Sequence, residues 1–306
     1  MTIKGKTKAK AKTAATSGAT PGAQTWDTAW LDRMYNNRAL VPDHAMYFTR
    51  WADASDDARE AHANELNIPY GPTPLETLDV FPAQKKNSPV VVFIHGGYWR
   101  SLDKSQHSFL VSAFKNEGGC VVMPNYGLCP AVTISEITMQ MVKALAWTYR
   151  NIKKYGGDPS RITVVGHSAG GHLATMLLAC QWGVYDRKLP ADLVKGAMSI
   201  SGLYDLEPLR HTPFLADSLR LTPEVASMNS PALFPRAAQG PLYSVVGGDE
   251  SAEFLRHNTL MREAWGKKAV PVCESIKGRN HFSVLEDLSA PWERVNKLAV
   301  ALMLGA

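Results

Sequence analysis

The sequence predicts an α/β protein in which a mainly parallel sheet is covered by helices on both faces. Two observations carry this. Short apolar runs recur at 75–81, 89–94, 120–126, 162–166, 196–201, 242–247 and 272–276, with helical patterns at 104–116, 134–153, 169–182, 251–266 and 290–303 between most of them. Alternation of this kind requires right-handed crossovers and therefore parallel neighbours. The near-continuous Val/Ile content of 91–94 and 162–165 marks strands buried on both sides.

Taken in chain order, the first 24 residues form a basic tail with five lysines, no acid and too few large apolar side chains to offset ordering entropy. They read as a disordered, solubilising extension. Residues 25–67 read as a helical N-terminal extension, with Trp26, Trp30, Leu31, Tyr35, Tyr47, Trp51, Ala61 and Leu66 spaced among charges and a break at Pro42-Asp43. After Tyr70-Gly71-Pro72 the period changes to that of strands. One catalytic domain over 25–306 is the expected organisation, and no repeat of fixed period is present.

Composition excludes several classes. The chain of 306 residues is 45% hydrophobic and 20% charged, ordinary for a globular protein with a large core. Its formal charge of +5 is matched by the five tail lysines, so the body is near neutral and lacks the clustered positive field that nucleic acid requires. The basic start is followed by Ala, Thr, Ser and Gly rather than an apolar run, and no stretch reaches the ~20 apolar residues of a membrane span. Cys120, Cys129, Cys180 and Cys273 form neither a CxxC pair nor a dense disulfide framework. A soluble cytoplasmic protein with reduced thiols, acting on a small molecule, is the expectation. No zinc-type His/Cys cluster, Walker loop or dinucleotide fingerprint appears, so no metal or cofactor is expected.

The chemistry-bearing motif is GHSAG at 166–170, placed directly after the strand ITVV and directly before an apolar helix. Strand, sharp turn and helix form the context of a nucleophile elbow, which lifts Ser168 into a site at the positive end of the helix. Upstream, HGGYW at 95–99 follows the buried strand VVFI. Backbone amides preset around a developing oxyanion are usually the largest catalytic contribution in acyl transfer. The amides of Gly96 or Gly97, together with that of Ala169, are the candidate donors.

The general base should follow the acid in chain order, and His281 in RNHFSVLEDL, between the last strand and the final helix, qualifies. His257 lies within a helical pattern and His211 precedes the acid, so both read as surface or packing residues. His95, His167 and His172 read as structural hydrogen-bonding groups. For the acid, GGDES offers two neighbours, and counting three residues from Gly247 selects Glu250, with Asp249 in reserve. The acid holds the imidazole tautomer and stabilises the imidazolium.

Taken together, FIHGGYWR (93–100), PNYGLCP (124–130), GGDPSRITVVGHSAGGHLA (157–174), SGLYDL (201–206), GGDESAEF (247–254) and NHFSVLEDL (280–288) resemble the kynurenine formamidase (arylformamidase) branch of the α/β-hydrolase fold. The likeness runs from about Trp26 to the C-terminus. HGGYW is more specific than the HGGG of related lipases and esterases. Gly127 and Cys129 depart from the related NYRLAP pattern, which has arginine and alanine there. The resemblance implies cleavage of an aryl formamide, N-formyl-L-kynurenine to L-kynurenine and formate, through a formyl-enzyme on Ser168. A carboxylesterase or other aryl-amidase on the same machinery is the alternative. An aromatic leaving group needs an apolar wall, for which Tyr98, Trp99, Tyr126, Tyr204 and Phe282 are candidates.

Overall fold

In the computed structural model, which describes residues 26–236 and 240–305, eight strands form one sheet in the order β1-β2-β4-β3-β5-β6-β7-β8. The strands are β1 (Glu65–Pro69), β2 (Thr77–Phe81), β3 (Ser88–Ile94), β4 (Cys120–Pro124), β5 (Gly157–His167), β6 (Val194–Ile200), β7 (Leu242–Gly247) and β8 (Val272–Ile276). From β4 through β8 every pairing is parallel, whereas β2 pairs antiparallel with both β1 and β4.

Seven of these strands fall on the seven apolar runs, and β1 is the exception. It lies in part inside the 25–67 segment expected to be helical, which corrects that reading at its end: the last helix of the extension stops at Ala61. β1 (ELNIP) is an almost wholly exposed edge strand, so it shows neither the apolar run of a buried strand nor a clean alternation.

The helices are α1 (Thr28–Tyr35), α2 (Asn37–Leu40), α3 (His44–Ala61), α4 (Val111–Lys115), α5 (Ile134–Asn151), α6 (Ala169–Leu178), α7 (Trp182–Tyr185), α8 (Glu207–Arg210), α9 (Pro213–Leu219), α10 (Pro223–Met228), α11 (Ala252–Trp265), α12 (Ser283–Ser289) and α13 (Arg294–Leu304). Because side chains alternate along a strand, β3 divides between two cores. Val90, Val92 and Ile94 enter the cluster covered by α5, α6 and α11, while Val91 and Phe93 enter the one covered by α4, α12 and α13. All seven residues of β3 are buried, as the unbroken apolar run requires.

α5 shows how local chemistry sets an element. Thr133 accepts from the Glu136 amide while the Glu136 carboxylate accepts from the Thr133 amide, a reciprocal cap worth about 1 kcal/mol. Beyond it Ile134, Ile137, Met141 and Leu145 recur at helical spacing and are fully buried on the sheet. Truncating Leu145 to alanine removes packing worth about 2–5 kcal/mol. No helix among the described residues is long and apolar enough to cross a membrane, and the basic tail lies outside the described residues.

Candidate active site

The site forms at the carboxyl edge of the sheet, where a parallel sheet places its loops. β3 and β5 are neighbours with Ile94 opposite Gly166, so the HGGYW turn and the GHSAG turn leave the sheet side by side. The turn after β5 is tight. Ser168 has φ 56° and ψ −120°, a conformation that costs a non-glycine residue about 1–3 kcal/mol and that the surrounding packing must enforce. Its amide donates to the Ile200 carbonyl at 2.8 Å. α6 starts immediately, and a Cβ at Gly170 would stand 2.0 Å from the Ile94 carbonyl oxygen, so only glycine lets α6 approach β3 this closely.

Three distant stretches meet here. His281 Nε2 lies 3.1 Å from Ser168 Oγ, and its Nδ1 lies 2.6 Å from Glu250 Oε2. The Glu250 side chain is fully enclosed; its second oxygen accepts from the Ser201 hydroxyl and from the Gly247 amide, at 2.7 Å for the latter. Asp249 is exposed, so of the two neighbouring carboxylates the structure brings Glu250 to the imidazole. Phe254 packs 4.7 Å from the His281 ring, centroid to centroid, and shields the pair from water. A hydroxyl, imidazole and enclosed carboxylate linked in this order can pass a proton from the hydroxyl to the ring while the carboxylate fixes the tautomer.

The glycine turn is held from beneath. The Tyr126 ring stacks on His95 at 4.2 Å, and its hydroxyl lies within hydrogen-bonding distance of the His95 and Gly96 carbonyls, at 2.9 and 3.0 Å. Gly97 has φ +103° and its missing Cβ would meet the Ser101 carbonyl, so the turn depends on glycine there. Among the described residues the amides of Gly97 and Ala169 have no acceptor, and Gly96 backs directly onto Ser168.

Above these groups lies a cleft of about 320 Å³. Tyr98 and Phe282 line it, with Phe48, Trp51 and Phe214 completing an aromatic wall. The other three proposed wall residues are not brought there. Trp99 is fully buried against His172, with ring centroids 5.0 Å apart; Tyr126 lies under the glycine turn; Tyr204 is buried with its hydroxyl 2.7 Å from Ser199 Oγ. The reason is local: Tyr98 (φ 50°) and Trp99 (φ 55°) are consecutive left-handed residues, and the chain turns so that the first faces the cleft and the second the core.

The three histidines inside the motifs each meet a backbone carbonyl. His167 faces the His281 carbonyl, His172 the Asn229 carbonyl, and His95 the Gly96 carbonyl and Asn125. Burial holds the pKa values of His167 and His172 down, the latter to about 4. His257 is buried between Tyr35 and the Tyr204 amide, and His211 pairs with Glu207 beside Trp26. Ser201, which opens the SGLYDL stretch, and the cleft residues Asn37, Phe48 and Trp51 from the N-terminal helices carry no local sequence signature of a place in the site. Only their tertiary placement reveals them. Among the described residues no group of three or more His, Cys, Asp or Glu is arranged to hold a metal ion, and all four cysteines are free.

Residues 78–201 match the family described as BD-FAE. The kynurenine formamidase of Danio rerio is 30% identical over 242 residues, which cover 76% of this chain and 80% of that protein. This chain belongs to the kynurenine formamidase family. Esterases are relatives too: esterase LipQ of Mycobacterium tuberculosis is 30% identical over 254 residues, covering 74% of this chain and 59% of LipQ. Among solved structures, a putative thioesterase from Silicibacter sp. superposes with a TM-score of 0.78 at 32% identity, covering 87% of this chain and 97% of that one. A Pyrobaculum calidifontis esterase, at 17% identity and a TM-score of 0.63 over 91% and 97% of the two chains, shares the α/β-hydrolase fold. This formamidase-family chain is a hydrolase.

Proposed function

We propose that the chain hydrolyses an aryl formamide, N-formyl-L-kynurenine to L-kynurenine and formate, through a formyl-enzyme on Ser168. The observation that carries the reading is the Ser168–His281–Glu250 chain of hydrogen bonds at the floor of an aromatic cleft. The relatives named kynurenine formamidase support the choice of substrate.

Ser168 Oγ attacks the formyl carbon as His281 Nε2 takes the hydroxyl proton, and the carbonyl oxygen becomes an oxyanion facing the amides of Gly97 and Ala169. Gly96, behind Ser168, sets the position of that turn. His281 then gives its proton to the aniline nitrogen, the C–N bond breaks and the arylamine leaves. Water attacks the formyl ester while His281 takes its proton; collapse returns that proton to Ser168 Oγ and releases formate. Glu250 remains ionised throughout and balances the imidazolium. Tyr98 and Phe282 flank the leaving ring. No step calls on a metal or cofactor.

A second reading, a carboxylesterase or other aryl-amidase, is favoured by the LipQ relationship and uses the same groups. Formate release from N-formylkynurenine, set beside hydrolysis of short p-nitrophenyl esters, separates them. Formamide turnover at a kcat/KM at least comparable to the ester value supports the first reading. Ester turnover with no formate release supports the second.

A further inference from the structure

The cleft is also lined by Asn37, Arg38 and Arg100, and no aspartate or glutamate lines it among the described residues. Neither guanidinium forms an ion pair among the described residues. Arg38 reaches only Ser101 Oγ, at 3.5 Å, and lies over the Phe48 ring. Arg100 uses Nη1 on the Phe214 carbonyl and on Ser218 Oγ, both at 2.7 Å, and its Nε and Nη2 have no partner among the described residues. Asn37 lines the cleft beside them at 5% exposure, but its Nδ2 is fully buried and does not open onto it. Burial, and then the charge of Arg38, hold the pKa of Arg100 below its ordinary value, which places the two guanidiniums near one another.

Two guanidiniums with unpaired N–H groups line a cleft to which, among the described residues, no acid contributes, and an anion with two acceptor oxygens is their complement. We propose that Arg38 and Arg100 form the subsite that receives a carboxylate on the arm that leaves, and so set the preference for acidic over neutral substrates. Assigning the carboxylate to the leaving arm rests on the formyl-transfer reading above, because a formyl group has no room for one. The subsite itself does not depend on which acyl group is cleaved. The N-terminal extension supplies one of the two, Arg38, which gives that extension a role in selecting substrate.

The test compares charged and uncharged substrates in matched pairs: N-formylkynurenine against its carboxamide, and 3-acetoxybenzoate against phenyl acetate. The expected result is a kcat/KM several-fold higher for the acid of each pair, carried by KM. Arg38→Gln and Arg100→Gln should each lower the acid-to-neutral ratio by about tenfold or more, the size of one lost charged hydrogen bond, and Arg38→Glu should reverse it. Binding of benzoate, followed by calorimetry, reads the subsite without turnover and should weaken by a similar factor in Arg38→Gln. Arg38 is exposed, so its variants keep the test sound if Arg100→Gln, which frees the Phe214 carbonyl, fails to fold. An unchanged ratio and unchanged benzoate affinity in Arg38→Gln and Arg38→Glu would overturn the subsite. Failure of the formamide pair alone, with the ester pair behaving as described, would overturn the formamidase reading and leave the subsite standing.

Discussion

His167, the residue before the elbow serine, donates from Nε2 to the main-chain carbonyl of His281 at 2.8 Å. One side chain thus ties the turn carrying the hydroxyl to the loop carrying the imidazole. Burial, reinforced by the neighbouring His281, keeps His167 neutral, so a single tautomer with its proton on Nε2 satisfies the bond. His167→Ala should cut kcat by about 10- to 100-fold with little change in KM, since misplacement by an ångström carries a cost of that order. His167→Gln, whose amide can donate near the position of Nε2, should recover much of the loss; equal losses in the two variants would show that the bond does not position the base.

Glu250 and Asp249 are adjacent in sequence but differ in surroundings, the first enclosed against His281 and the second exposed. Glu250→Gln should lower kcat by about 10³- to 10⁴-fold, because the amide can hold the wrong tautomer and cannot balance the imidazolium. Asp249→Asn should change it by less than about threefold. Steady-state kinetics on one ester substrate reads both, and a larger loss at Asp249 would reassign the acid.

Stability should fall on mild acidification. His172 has a folded pKa near 4 and His107 near 3, against an unfolded value of 6.5, with burial the main cause in both. In each case the unfolded chain takes up the proton first. The stabilisation is therefore complete above about pH 6.5 and drains as pH falls from there towards the folded pKa, at about 1.4 kcal/mol per pH unit for each histidine. Thermal melts between pH 7 and pH 5 should show Tm declining steadily. His172→Gln, which can still donate to the Asn229 carbonyl, should flatten that decline by one proton's worth. A melt independent of pH over this range would contradict the assignment of neutral buried rings.

Much of the fold and the centre of the site could be read from the chain, for physical reasons that also mark where reading stops. Ser168 was legible because a strand, a glycine-flanked turn and a helix are contiguous in sequence, so the elbow is a local structure. Glu250 was legible because it follows the largely buried apolar run of β7, and His281 because it stands in the loop between the last strand and the closing helices. β1 was not, since an exposed edge strand need not be apolar. The aromatic wall was only partly legible. Tyr98 and Phe282 flank the cleft, but Trp99, Tyr126 and Tyr204 turn into the core, and proximity to a motif does not say to which side of a turn a ring points. Asn37, Phe48 and Trp51 reach the cleft only because the N-terminal helices pack across it, a long-range contact with no local signature.

Activation of the Ser168 hydroxyl by His281 is open to covalent labelling. Intact mass and peptide mapping after treatment with a fluorophosphonate should find one adduct, on Ser168, in the wild-type chain. Labelling should be slowed at least about 10³-fold in His281→Ala and be absent in Ser168→Ala. An adduct on another residue, or equal labelling rates with and without the imidazole, would show that His281 does not activate Ser168.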